Sequence, residues 1–171
     1  VLPLTNPLRV AEETASVDQM SGGRLDFGIG RSGFARQYKI CNIDYSESQA
    51  RFEEAVTVLR KAWSGEKFSY EGEFFQVTDA QLVPVPVQRP HPPMRIAASS
   101  PGTFNKVAAE GLPLFVGLRG DGLEELKGNI QVYRKTWNEM GHADDSSVFL
   151  RVPVYAAATK EAALKEPREC I

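Results

Sequence analysis

The chain has 171 residues, 42% of them hydrophobic and 25% charged, with a formal net charge of −2. This is the composition of one globular domain with a sizeable core, and it lacks the concentrated Lys/Arg block that nucleic acid or an anionic membrane requires. Cys41 and Cys170 stand far apart without C-x-x-C spacing and no apolar run approaches the ~20 residues of a membrane span, so disulfides, zinc, membrane and nucleic-acid partners are not expected, and a cytoplasmic setting with small-molecule chemistry is.

Val1 reads as a cut, so a longer protein is expected, and Val1-Leu2-Pro3-Leu4 reads as the end of a strand. Asn6 is placed to cap a helix that starts at Pro7, where a missing N–H costs nothing, and runs to about Met20. Its inner positions are small (Ala11, Thr14, Ala15, Ser16), and Ser21-Gly22-Gly23 ends it. Leu25, Phe27 and Ile29 then alternate in a strand that reads as largely buried and closes at Gly30-Arg31. Gly28, Gly30 and Gly33 spell G-x-G-x-x-G, but the dinucleotide fingerprint needs that loop to open into a helix, and residues 34–44 carry no helical period.

The strongest periodic signal follows: Phe52, Ala55, Val56, Leu59, Ala62 and Trp63 at helical spacing, with Ser46 and Gln49 as a capping box and Ser64-Gly65 as the stop. Residues 66–93 read as an excursion, a hairpin (Phe68 to Tyr70, then Phe74 to Val77) followed by the extended Pro-rich connector Val83 to Pro93. From Met94 the rhythm is strand (94–98), helix (103–110), strand (112–116), helix (to Met140), strand (148–156) and a helical start near Lys160. Consecutive strand-helix units imply parallel strands with right-handed crossovers, in an open doubly wound sheet or a barrel.

Several ordered stretches carry a resemblance: Leu2 to Glu13, Asp18-Gln19-Met20-Ser21-Gly22-Gly23-Arg24-Leu25-Asp26-Phe27-Gly28-Ile29-Gly30-Arg31, Arg51-Phe52-Glu53-Glu54, Pro84 to Gln88, Arg95 to Ser100 and Ala108 to Pro113. In these the chain resembles the bacterial luciferase-like flavin-dependent monooxygenases. The resemblance implies a TIM-type (β/α)8 barrel. A complete one needs roughly 250 residues, so a single partial barrel is expected here, from about the end of strand 3 to strand 7.

It further implies reduced FMN, or in relatives the deazaflavin F420, at the C-terminal ends of the strands. O2 attacks the reduced ring, and a small organic substrate takes up one oxygen atom. Arg31 matches the family's phosphate-binding arginine and Arg51 a second one. Ser99, Ser100, Gly102 and Thr103 match the turn that meets the phosphate, which is expected between that turn and Arg31. A phosphate dianion favours a planar guanidinium and free amides at a helix start.

Gly30 stands beside the ring where luciferase has a cysteine, Phe34 replaces an aromatic hydroxyl, and Ala98 replaces a glutamate, so light emission is not expected. The family's active-site histidine belongs to an early strand, and no catalytic acid or base is assigned to this chain. His91 and His142 fall on connections at the opposite end of the barrel, Cys41 reads as a buried thiol, and Trp63 and Trp137 as core. The expected partners are a small-molecule substrate, O2, a separate flavin reductase and a second copy of the chain, the small-residue helix after Pro7 serving a homodimer. The competing functions are F420-dependent hydride transfer and non-catalytic flavin binding.

Overall fold

The computed structural model describes residues 1–98, 100–118, 122–142 and 146–169. The chain divides into two compact units, Val1–Ala97 and Ala98–Ile171.

The first unit opens on a 3-10 turn, Leu2–Leu4, in place of the expected strand end. Pro3 lacks the N–H a ladder needs, although Leu2 N still donates to Gly30 O at 3.1 Å. Helix α1 (Pro7–Ser21) is capped as its sequence predicts: Asn6 accepts from Leu8 N at 2.9 Å, and Gly22 closes it in the left-handed region at φ 65°. Strand β1 (Phe27–Ile29) follows, with Gly28 exposed and Ile29 buried, so it alternates more than a doubly covered strand does.

Helix α2 (Ala35–Ile40) lies where no helix was expected. It is too short to show a period. It is set up by a left-handed Ser32 (φ 66°) whose Oγ accepts from Phe34 N at 3.1 Å. The expected capping box is also displaced. Asp44 caps a 3-10 turn, Tyr45–Glu47, by accepting from Ser46 N and Ser46 Oγ, and α3 (Ser48–Trp63) continues from that turn without a side-chain cap.

Helices α1 and α3 pack through their smallest residues. Ala11 and Ala15 of α1 and Ala55 and Ala62 of α3 are all fully buried, and Trp63 Nε1 donates to Ala11 O at 3.2 Å. The Trp63 ring meets Phe27 of β1 edge-on, with centroids 5.8 Å apart. The small stripe of α1 is therefore used within the chain.

Strands β2 (Phe68–Glu71) and β3 (Gln76–Ala80) form an antiparallel hairpin. Its turn rests on α3: the Glu54 carboxylate accepts from the backbone N–H groups of Glu73, Phe74 and Phe75 at 2.8, 3.1 and 3.1 Å. The Pro-rich segment then runs without regular structure to β4 (Met94–Ala97), which pairs in parallel with β1, Phe27 opposite Met94 and Ile29 opposite Ile96. It is fastened by Asp18, a fully buried carboxylate near the end of α1. Gln88 donates to Asp18 from its backbone N at 2.9 Å and from Nε2 at 2.8 Å, and the same amide reaches Leu25 O at 2.7 Å. Burial alone would raise the Asp18 pKa. The hydrogen bonds from Gln88, and from the Val87 and Leu25 backbone, outweigh it and hold the group below the usual carboxylate range.

In the second unit α4 (Pro101–Ala109) packs on α5 (Leu123–Glu139), and β5 (Leu114–Gly117) pairs in parallel with β6 (Val148–Arg151). Helix α4 starts two residues before its expected first position, because Pro101 suits the first turn. Its buried side chains are Phe104, Val107 and Ala108, and α5 adds Tyr133, whose hydroxyl donates to Leu112 O at 3.1 Å, and Trp137. Helix α6 (Lys160–Lys165), capped by Thr159, passes into a 3-10 turn, Glu166–Glu169, at the end of the described residues. No helix among them is long and apolar enough to cross a membrane.

Candidate functional site

Arg31 follows the C-terminal end of β1, and four local features hold it. Its Nη1 donates to Ser48 Oγ at 2.7 Å, and its guanidinium carbon lies 5.5 Å from the centre of the Tyr45 ring. The Tyr38 hydroxyl donates to its carbonyl oxygen, and the Tyr38 and Tyr45 rings meet edge-on at 5.1 Å. The left-handed Ser32 turns the chain into α2, and that turn brings Tyr38 back under the residue seven places earlier. Tyr38 and Ser48 are almost wholly buried. Burial raises the Tyr38 pKa, against the lowering effect of the nearby Arg31 charge, so the phenol stays a neutral donor. Among the described residues the Arg31 guanidinium has a neutral hydroxyl as its hydrogen-bond partner and no carboxylate. Its remaining donors are available to an anion.

Arg51 is in a different situation. It lies on α3 three residues beyond Ser48, hence on the same face, but its Nε donates to Glu47 Oε2 at 2.7 Å and its guanidinium lies 4.5 Å from the centre of the Phe74 ring. Its charge is already compensated. Gly30 carries no positive φ, and a Cβ added there would meet Ala97 Cβ at an ordinary 3.8 Å. Neither backbone nor packing demands glycine at 30.

In the second unit Ala98 is buried and its N–H donates to Phe115 O at 3.1 Å. Ser100 is the N-cap residue of α4, but its hydroxyl bonds Thr103 Oγ1 at 2.8 Å instead of a backbone amide. The first turn of α4 is thus left without a side-chain cap, and Gly102 has open space where a Cβ would stand. Ser99 lies outside the described residues.

The residues set aside on sequence grounds have structural partners. The His91 ring lies tilted against Trp63 with centroids 5.5 Å apart, and His142 lies tilted against Trp137 at 4.9 Å and contacts Ala109 O. Cys41 corrects the expectation of a buried thiol, since it is exposed at the end of α2. The sequence reading missed Tyr38, Tyr45 and Ser48. Tyr38 lies in the stretch without a period, and Ser48 looks like any polar residue in a helix's first turn.

Residues 1–171 match the family described as luciferase-like monooxygenase, and the chain belongs to that family. It is 27% identical over 163 residues to the oxygenase component of the flavin-dependent trigonelline monooxygenase of Acinetobacter baylyi, covering 94% of this chain and 45% of that one. It is also 27% identical over 141 residues to the FMNH2-dependent dimethylsulfone monooxygenase of Pseudomonas putida, covering 81% and 38%. The chain therefore spans less than half the length of these relatives. Among solved structures, monooxygenase RslO1 of Streptomyces bottropensis superposes with a TM-score of 0.85 at 28% identity, over 98% of this chain and 52% of that one.

Two more distant structures share the fold. The oxygenating constituent of 3,6-diketocamphane monooxygenase of Pseudomonas putida, in complex with FMN, has a TM-score of 0.85 at 21% identity over 98% and 50%. An F420-dependent secondary alcohol dehydrogenase, in complex with an F420-acetone adduct, has 0.72 at 22% over 87% and 45%. The fold is thus the luciferase-like TIM-type barrel, of which these 171 residues form a part.

Proposed function

We propose that this chain is the flavin-phosphate-binding part of an FMN-dependent monooxygenase that oxygenates a small organic substrate. The observation that carries the reading is Arg31: a half-buried guanidinium at a strand's C-terminal end, held by neutral groups and lacking a carboxylate partner among the described residues. A cation so placed suits a phosphate dianion, for which a planar fork offers paired donors. Gly30 fits beside a ring, because a position without a side chain and with only Ala97 Cβ near leaves room for a flat group.

In the second unit, Ser100 and Thr103 offer hydroxyls, and the uncapped first turn of α4 offers the Gly102 amide, the Thr103 amide being bonded to Ser100 O at 2.9 Å. Ser99 and Ala98 join them on the family resemblance. Arg51, already paired with Glu47, serves as a secondary contact only if that ion pair opens. Reduced FMN, when bound, supplies the electrons for O2 activation, one oxygen atom entering the substrate and the other leaving as water. This chain's residues bind the phosphate and orient the ring. The catalytic acid or base is assigned to the early strands of the family's barrel. A separate flavin reductase, a cytoplasmic location and a homodimer belong to the same proposal.

The second reading, F420-dependent hydride transfer, is favoured by the likeness of fold to the F420-dependent dehydrogenase. Spectral titration of the full-length protein with FMN and with F420 separates the two. FMN binding and substrate-dependent O2 uptake are expected. Binding of F420 alone would overturn the monooxygenase reading, and O2 uptake that never responds to an organic substrate would favour a non-catalytic flavin protein.

A further inference from the structure

We propose that Ser48 and Tyr38 are positioning residues for Arg31, holding its guanidinium in the phosphate-binding orientation before the flavin arrives; this rests on the reading of Arg31 above. Two contacts act on different parts of the same residue. Ser48 Oγ accepts from Nη1 at 2.7 Å and so fixes the far end of the side chain. The Tyr38 hydroxyl donates to the Arg31 carbonyl and so fixes the backbone from which the side chain springs.

Both positioning groups are buried. Ser48 is 1% exposed and Tyr38 0%, and Tyr38 is further locked edge-on against Tyr45, the ring over which the guanidinium lies. Neither Ser48 nor Tyr38 brings a charge, so the cation is oriented without being neutralised. A carboxylate in the place of Ser48 would hold Arg31 as firmly but compete with the phosphate; Arg51 is paired with a carboxylate in this way, that of Glu47. An arginine side chain has large rotamer entropy, and a site that has already ordered it binds its anion more tightly.

The test compares FMN with riboflavin, which has the same ring and no phosphate, on the full-length protein. Ser48→Ala removes the acceptor, and Tyr38→Phe keeps the ring contact while removing the donor. Ser48→Ala is expected to weaken FMN binding by roughly tenfold, the scale of one hydrogen bond to a charged group, and Tyr38→Phe by roughly fivefold, the scale of one to a neutral carbonyl. Riboflavin affinity is expected to stay unchanged, which a merely structural role would not produce. In an Arg31→Ala background neither substitution should weaken FMN further.

Equal losses for FMN and riboflavin, or losses that add fully to that of Arg31→Ala, would overturn the proposal. If Arg31→Ala weakens FMN selectively while Ser48→Ala and Tyr38→Phe do not, the positioning role fails and the site survives. If Arg31→Ala leaves the ratio of FMN to riboflavin affinity unchanged, both fall.

Discussion

Asp18→Asn isolates the fastening of the Pro-rich connector with almost no change of shape. The carboxylate accepts from Gln88 N and Gln88 Nε2. Asparagine keeps one acceptor oxygen and turns an NH2 group toward a donor, so one charge-assisted bond is lost and one donor is left facing another. Hydrogen bonds to charged groups are worth about 1.5–3 kcal/mol. Gln88 and Leu25 around the carboxylate are only half-buried, so solvent screening brings the expected loss to about 2 kcal/mol. At roughly 2–4 °C per kcal/mol for a domain of this size, the melting temperature falls by about 4–8 °C.

The same site sets a pH dependence. The folded pKa of Asp18 lies below its ordinary value, so its contribution is complete above the unfolded value, about 4, and is lost as pH falls through the folded pKa. Urea titrations of wild type and Asp18→Asn across that range are expected to differ at neutral pH and converge in acid. A midpoint difference that is absent at pH 7, or that persists undiminished in acid, would refute the reasoning.

Gly72→Ala should release the hairpin turn, because its Cβ would fall 2.6 Å from Glu54 Cδ and 2.7 Å from Tyr70 Cε1. A loss of about 1–3 kcal/mol and faster hydrogen exchange at Glu73, Phe74 and Phe75 are expected, and unchanged exchange would count against the Glu54 anchor. Gly30→Ala should leave stability within about 0.5 kcal/mol of wild type, since only Ala97 Cβ lies near, yet weaken FMN and riboflavin alike; unaltered flavin affinity would remove Gly30 from the ring's surroundings. Trp63→Phe should cost about 1–3 kcal/mol in urea denaturation by opening a cavity and removing the indole hydrogen bond to Ala11 O, which keeps Thr14 Oγ1 as a donor, and a neutral result would count against the Trp63 packing.

The residues themselves determined the elements whose causes are local. Asn6-Pro7 starts α1, Gly22 ends it, apolar residues spaced along α3 make its buried face, and alternation marks β1, each set by neighbours within a few positions. The family was legible in the same way, from runs such as Asp18 to Arg31. Tertiary structure decided everything that joins distant positions: Asp18 to Gln88 across 70 residues, Trp63 to Ala11 across 52, Glu54 to the hairpin turn.

It also separated the two arginines. In sequence both match phosphate-binding arginines, Arg31 at a strand end and Arg51 in the first turns of a helix. Folding gives one a buried serine and a tyrosine ring, and the other a glutamate and a phenylalanine. A side chain's spare hydrogen-bonding capacity depends on what the fold packs around it, and α2, too short to carry a period, is the element that brings Tyr38 to Arg31.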